Sequence, residues 1–220
     1  MKKKKLLSLA LVFVMIAVTV PFVSTNAASS FTASDYSSLC SAITDASSGD
    51  AINITADIVV SAQVTIGKNL TIYGNEHTIS VPIPGLDDSG ILNSTASAFR
   101  VFFISGGTVT LDNMIIKGGR PNDSYSGAGI YNGVGATIHL NNVTISNSGG
   151  ATDKVFYPKG YGGGISNFGT AYLNSCNISR NGATFGGGFY SDTFASMFIE
   201  NSTFSENRSL NSAGGGGAGQ

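Results

Sequence analysis

Residues 162–181 read GGGISNFGTAYLNSCNISRN and residues 186–207 read GGGFYSDTFASMFIENSTFSEN. The two stretches share few identities, yet both run from three glycines to an apolar residue, a short polar turn, a second apolar stretch, a corner and an Asn-terminated end. Upstream the same order returns. Aligning TVTLDNMIIKGG (108–119), TIHLNNVTISNS (137–148), TAYLNSCNISRN (170–181) and SMFIENSTFSEN (196–207) puts Leu111, Leu140, Leu173 and Ile199 in one column and Ile116, Ile145, Ile178 and Phe204 in another. Along the second column the separations are 29, 33 and 26 residues, a period that signals a solenoid.

Each unit carries three apolar stretches: one after the glycines, and one on either side of a corner written Asp112-Asn113, Asn141-Asn142, Asn174-Ser175 and Glu200-Asn201. Asn tolerates the left-handed backbone that such a corner needs. Stacked copies would align these side chains as a hydrogen-bonded ladder. Each unit thus reads as one coil of a helix of strands, which buries little alone. Stacking at about 4.8 Å per coil pairs every strand with those above and below it and merges the inward residues into one core. The predicted core takes in Ile130, Ile165 and Phe189 after the glycines, then Leu111, Met114, Ile116, Ile138, Leu140, Val143, Ile145, Leu173, Cys176, Ile178, Ile199 and Phe204.

Outward from the repeats, AINITADIVV, QVTIGKNLTIYG and HTISV (within residues 51–81) alternate Ile, Val and Thr with polar positions and read as short strands. Residues 82–97, PIPGLDDSGILNSTAS, have turn formers and no period, so they read as an inserted loop. Earlier still, SDYSSLCSAITDASSGD predicts one short helix, capped by Ser34 or Asp35 and stopped at Gly49, placed to plug the first coil. Residues 1–27 combine Lys2 to Lys5, an apolar run from Leu6, a break at Pro21 and a small-residue site ending at Ala27, the order of a secretory signal peptide. The competing reading is an uncleaved anchor, since Leu6 to Val23 nearly reaches a bilayer-spanning length. The expected organisation is a signal peptide at 1–27, a cap helix within 28–50 and a coil stack at 51–220. SAGGGGAGQ at the end starts another glycine bend, so the last coil is expected to be incomplete and prone to self-association.

With 12 basic and 13 acidic residues the net charge is −1 and 11% of the chain is charged, which argues against a nucleic-acid partner. The two cysteines, Cys40 and Cys176, are too few for a disulfide framework and are expected to lie too far apart along the axis to bridge.

FRVFFISGGTVTLDNMIIKGG followed by GAGIYN, GGGISN and GGGFYS, with the endings ISRN and FSEN, resembles the right-handed parallel β-helix proteins of the pectin-lyase-like fold. Within them it is most similar to polymorphic membrane protein and adhesin-like repeats, over about residues 31–216. The resemblance implies an all-β fold, a single right-handed parallel β-helix with a short N-terminal capping helix. It also implies a secreted or cell-surface protein that binds glycans or host or partner surfaces; membrane contact is expected only through the signal segment.

Some β-helices are instead polysaccharide lyases or hydrolases, and a lyase acting on uronate polymers would need an acidic calcium site and a basic group. Asp123 and Asp153 fall in equivalent loops near Arg120, Lys154 and Lys159, so calcium enters only under that alternative. A hydrolase pattern of paired aspartates followed by Gly-His-Gly is missing: His77 sits in GNEHTI, His139 in a strand, and Asp87-Asp88 in the loop. No metal-ligand cluster, phosphate-binding loop or catalytic residue is assigned. The Asn-x-Ser/Thr triplets at Asn53, Asn69, Asn122, Asn142, Asn177, Asn201 and Asn207 follow from corner Asn beside strand Thr. What remains is the outward residue just ahead of each inward aliphatic: Thr110, His139, Tyr172 and Phe198. These form a ladder that becomes aromatic along the chain, and His139, Tyr172 and Phe198 are the candidate binding residues.

Overall fold

The computed structural model describes residues 28–82, 99–121, 127–149 and 160–209. The stretch expected to be a signal segment, the 82–97 loop beyond its proline, the stretch holding Asp123, the stretch holding Asp153, Lys154 and Lys159, and the glycine-rich end lie outside the described residues. Within them the chain is a right-handed parallel β-helix with one α-helix.

Its long face is an eleven-stranded sheet among the described residues. One row of it stacks β1 (Ser30–Ala33), β2 (Ala51–Ile54), β5 (Leu70–Tyr73), β8 (Thr108–Lys117), β10 (Thr137–Ser146), β12 (Thr170–Asn174) and β16 (Ser196–Glu200) in that order. A second row, continuous with the first through the ten-residue β8 and β10, runs from β3 (Ile58–Val59) and β6 (Thr78–Ser80) to β13 (Asn177–Ser179) and β17 (Thr203–Ser205). The opposite face stacks five short strands: β4 (Val64–Ile66), β7 (Phe102–Ile104), β9 (Ile130–Asn132), β11 (Ile165–Asn167) and β15 (Phe189–Ser191). Gly182–Ala183 pairs with Arg208–Ser209 as a small third sheet. Every pairing is parallel and in register, so alternate residues of each strand point into the coil.

The register makes the aligned sequence columns physical. Ile52, Ile72, Leu111, Leu140 and Leu173 are successive partners and all are buried. So are Ile58, Ile79, Ile116, Ile145 and Ile178. Each such side chain contributes about 1.5–3 kcal/mol of burial that no coil could obtain alone. Ile199 holds the inward position opposite Leu173 but is 40% exposed, and Phe189 and Phe204 are half-buried. They sit on the last described coil, where no described strand pairs over them. Their expected burial is corrected on that ground: in a stacked fold half of a residue's cover comes from the next coil.

The corner expected as a two-residue turn is tighter. β8 and β10 pass through it unbroken, bent by a single left-handed residue, Asn113 at φ 51° and Asn142 at φ 52°; Ser175 and Asn201 take the same conformation one and two coils on. The glycine runs stack on one another through backbone hydrogen bonds, Gly163 N–H to the Gly186 carbonyl at 3.0 Å and Gly164 N–H to that of Gly187 at 3.0 Å. At Gly162, φ +63° and the adjacent Ile165 carbonyl leave no room for a Cβ.

The helix α1 (Tyr36–Asp45) begins at Asp35, whose carboxylate accepts from the Ser38 N–H at 2.8 Å while Ser38 Oγ accepts from the Asp35 N–H at 3.1 Å. It buries Leu39, Ala42 and Ile43 against the first coil. Lys68 Nζ reaches back to the Ala46 carbonyl at 2.6 Å and the Thr44 carbonyl at 3.2 Å, satisfying groups that the helix end leaves open. The sheet starts ahead of this helix, because β1 pairs with β2 from Ser30↔Ala51 to Ala33↔Ile54.

Candidate functional site

On the long face the residues flanking an inward aliphatic point to solvent, and the register fixes which of them meet. Thr71, Thr110, His139, Tyr172 and Phe198 are successive partners across β5, β8, β10, β12 and β16. The three candidate residues are therefore brought together. The His139 and Tyr172 rings are 4.6 Å apart and 4° from parallel; those of Tyr172 and Phe198 are 4.8 Å apart and 10° from parallel. This spacing is the sheet's own repeat, so the stack costs no rearrangement of the backbone. Tyr172 and Phe198 are 39% and 51% exposed, leaving a continuous apolar strip with a polar handle at each of its first two rings.

A second aromatic assembly was not foreseen. On the opposite face the outward residue at the middle of each short strand is Thr65, Phe103, Tyr131, Ser166 or Tyr190. Phe103 meets Tyr131 edge-on at 5.4 Å. Phe168 spans the gap left by Ser166, 5.3 Å from Tyr131 and 5.9 Å from Tyr190. Tyr161 continues the chain to Phe185, 4.4 Å from Tyr190 and 5.1 Å from Phe185. The Arg100 guanidinium lies 5.1 Å from the Tyr131 ring centre and 5.8 Å from that of Phe103, within cation–π reach. Burial, with help from Asp192 and Tyr161, raises the Tyr190 hydroxyl above its ordinary pKa. These rings are half-buried and meet at angles from 21° to 63°, unlike the near-parallel, open ladder. The signal was present in FFI, IYN and FYS, but three-residue strands are too short for alternation to be read.

Two buried polar columns were missed as well. Where Ile66 and Ile104 point inward, the next partners are Asn132, Asn167 and Ser191. Asn132 Nδ2 donates to Asn167 Oδ1 at 2.7 Å, and Asn167 Nδ2 donates to the Ser196 carbonyl at 2.9 Å and to Ser191 Oγ at 3.2 Å. At the unit ends, Asn181 Nδ2 donates to the Ile145 carbonyl at 2.9 Å and its Oδ1 accepts from the Ser148 N–H at 3.0 Å; Asn207 Nδ2 donates to the Ile178 carbonyl at 2.7 Å. That pattern is what an Asn-terminated unit is for.

Of the titratable groups raised for the enzyme alternative, Arg120 is described: it is half-buried, its Nε has no hydrogen-bond partner among the described residues, and burial lowers its pKa. His77 pairs with Asp57 at 3.3 Å, away from the ladder. Among the described residues no three His, Cys, Asp or Glu side chains gather as a metal site. Both cysteines are free, and burial raises the Cys176 thiol pKa.

Comparison with known proteins supplies one match. Residues 30–152, more than half of the chain, fit the model of a family described as a pectate lyase-like adhesive domain. No curated relative and no solved structure matches the chain. The matched stretch opens at β1 and runs past β10, and the remaining described coils continue the same register. The chain belongs to the family of pectate lyase-like adhesive domains.

Proposed function

We propose that this protein is an exported binding module, secreted or held at the cell surface, that takes a glycan or a host or partner surface against the His139–Tyr172–Phe198 ladder without turning it over. The observation that carries the reading is the ladder itself: three rings in parallel contact, open to solvent, on a face whose backbone is fixed by flanking coils. Rigid aromatic strips suit sugar faces and apolar partner patches, because little side-chain entropy is lost on contact. An adhesive role fits this geometry better than catalysis, which needs titratable groups converging on one point. The likeness of the GG-aliphatic and Phe-x-x-Asn units to polymorphic membrane protein repeats supports the same reading.

The test replaces Tyr172 and Phe198 by Thr, which keeps strand propensity. Retention on immobilised glycans and on host cells is then measured beside thermal unfolding. Lost retention at an unchanged Tm is the expected outcome. Retention intact with a lowered Tm would reduce the ladder to a stabilising stack, worth roughly 0.2–1 kcal/mol per cross-strand pair.

A further inference from the structure

The corners joining the short-strand face to the long one differ in length from coil to coil. Asn132 and Thr137 are joined by residues 133–136, Asn167 and Thr170 by Phe168 and Gly169 alone, and Ser191 and Ser196 by residues 192–195. The short corner lies between the two long ones, because β11 pairs with β9 on one side and with β15 on the other. A notch of about 360 Å³ results, lined at the short corner by Phe168, Gly169 and Thr170 and on its flanks by Val134, Asp192 and Phe194.

Its flanks are unusual for so small a surface. Val134 is 81% exposed and Phe194 is 95% exposed, the two most exposed large apolar side chains among the described residues. Single exposed apolar residues need no explanation, but these two border one depression from opposite sides. The flanking coils are two strand spacings apart, roughly 9.5 Å. A gap of that width admits one saturated six-membered ring with a contact of about 3.5–4.0 Å on each side.

Asp192 supplies the polar group. Its Oδ1 accepts from the Tyr190 hydroxyl and its Oδ2 from the Phe194 N–H, both at a long 3.4 Å. These contacts orient the carboxylate while leaving acceptor positions open, since an ionised carboxylate offers about four. Among the described residues it is the only charged one lining the notch, beside the hydroxyl-bearing Thr137 and Thr170. A negative group with no cation beside it among the described lining residues disfavours uronates, sialylated chains and phosphates. It suits sugar hydroxyls, whose bonds to carboxylate are short and charge-assisted.

We propose that this notch binds one neutral sugar ring of a glycan, its apolar face against Phe194 and its hydroxyls on Asp192. The proposal rests on the reading of the chain as a binding module and deepens it, naming neutral glycans and placing their contact at a corner away from the ladder. The full chain is run in native gels cast with neutral polysaccharides (galactomannan, β-glucan, xylan), with polygalacturonate or with cationic chitosan. The variants are Phe194→Ala, Asp192→Asn and the Tyr172→Thr/Phe198→Thr pair, each with its thermal unfolding measured.

Retardation in at least one neutral gel is expected, weakened about tenfold by either notch variant at an unchanged Tm, the ladder pair reporting separately on the ladder's own share of retention. Retardation confined to polygalacturonate or to chitosan overturns the proposal, as does its absence from all neutral gels. If Phe194→Ala migrates like the parent while the ladder pair loses retardation, the notch falls and the ladder reading stands.

Discussion

Two sets of asparagines stack along this solenoid, and they have little in common beyond the residue. At the corner, Asn142 Nδ2 donates to Asn113 Oδ1 at 2.8 Å and Asn201 Nδ2 to Asn174 Oδ1 at 3.3 Å, all in the open. Inside, Asn132, Asn167 and Asn181 are fully buried and spend their amides on backbone groups of neighbouring coils. Asn113, Asn142 and Asn201 are there for φ, because a left-handed bend suits Asn and the solvent would satisfy their amides anyway. The inner ones are there for valence, because the backbone turns away from the ladder and leaves carbonyls that no water reaches. Identical ladders therefore hold unequal energies, and burial decides which one holds the fold.

The largest expected effect breaks an inner column. Asn167→Ala removes the acceptor of Asn132 Nδ2 and of the Gly169 N–H and the donor to the Ser196 carbonyl. Leaving buried groups unpaired should cost about 2–4 kcal/mol in urea unfolding; a loss under about 1 kcal/mol would erase the distinction between the two sets.

At the corner the scale is smaller. Asn142→Ala should cost about 1 kcal/mol, mostly from forcing Ala into the left-handed region. Conversely, Ser175 is the one member of that column that is neither Asn nor Gly, at φ 57°. Ser175→Asn should raise stability by a few tenths of a kcal/mol, and a destabilised variant would mean that the corner is chosen for something other than backbone conformation.

The smallest effect concerns charge. At the next corner Arg180 Nε donates to Glu206 Oε2 at 2.9 Å, fully in solvent, and this bond with its attraction lowers the Glu206 pKa. A depressed carboxylate contributes stability present above its unfolded pKa, ~4.3, and lost as pH falls through its folded value. The difference in stability between the parent and Glu206→Gln should be slight at neutral pH, vanish in acid and disappear in 1 M salt. A difference that persists in acid or in salt would mean the pair is not a surface ion pair.

What could be read from the chain follows from which signals repeat. Leu111, Leu140 and Leu173, the bending Asn113 and Asn142, and the outward His139, Tyr172 and Phe198 recur at one offset in every unit, so column alignment finds them. The inner Asn132 and Asn167 recur too, but in IYN and ISN an Asn within two residues of a glycine reads as a turn former, and only the register against Ile104 places it inside. β1 is a four-residue strand just ahead of a well-marked helix and has no partner pattern until β2 is stacked on it. The notch is written nowhere as a motif; it is a difference in corner length among three successive coils, whose corners lie far apart along the chain.

Parallel, in-register stacking also fixes how such a molecule answers a pull. All the coil-to-coil hydrogen bonds lie along the solenoid axis, so tension applied between its two ends loads them one row at a time, as a zipper is opened, instead of shearing a whole sheet at once. A coil of 26–33 residues, by the spacing of Ile116, Ile145, Ile178 and Phe204, would pay out roughly 85–120 Å of chain when it peels. Stretched between two points of attachment, this fold would lengthen in steps at low force, dissipating load while the remaining coils stayed closed.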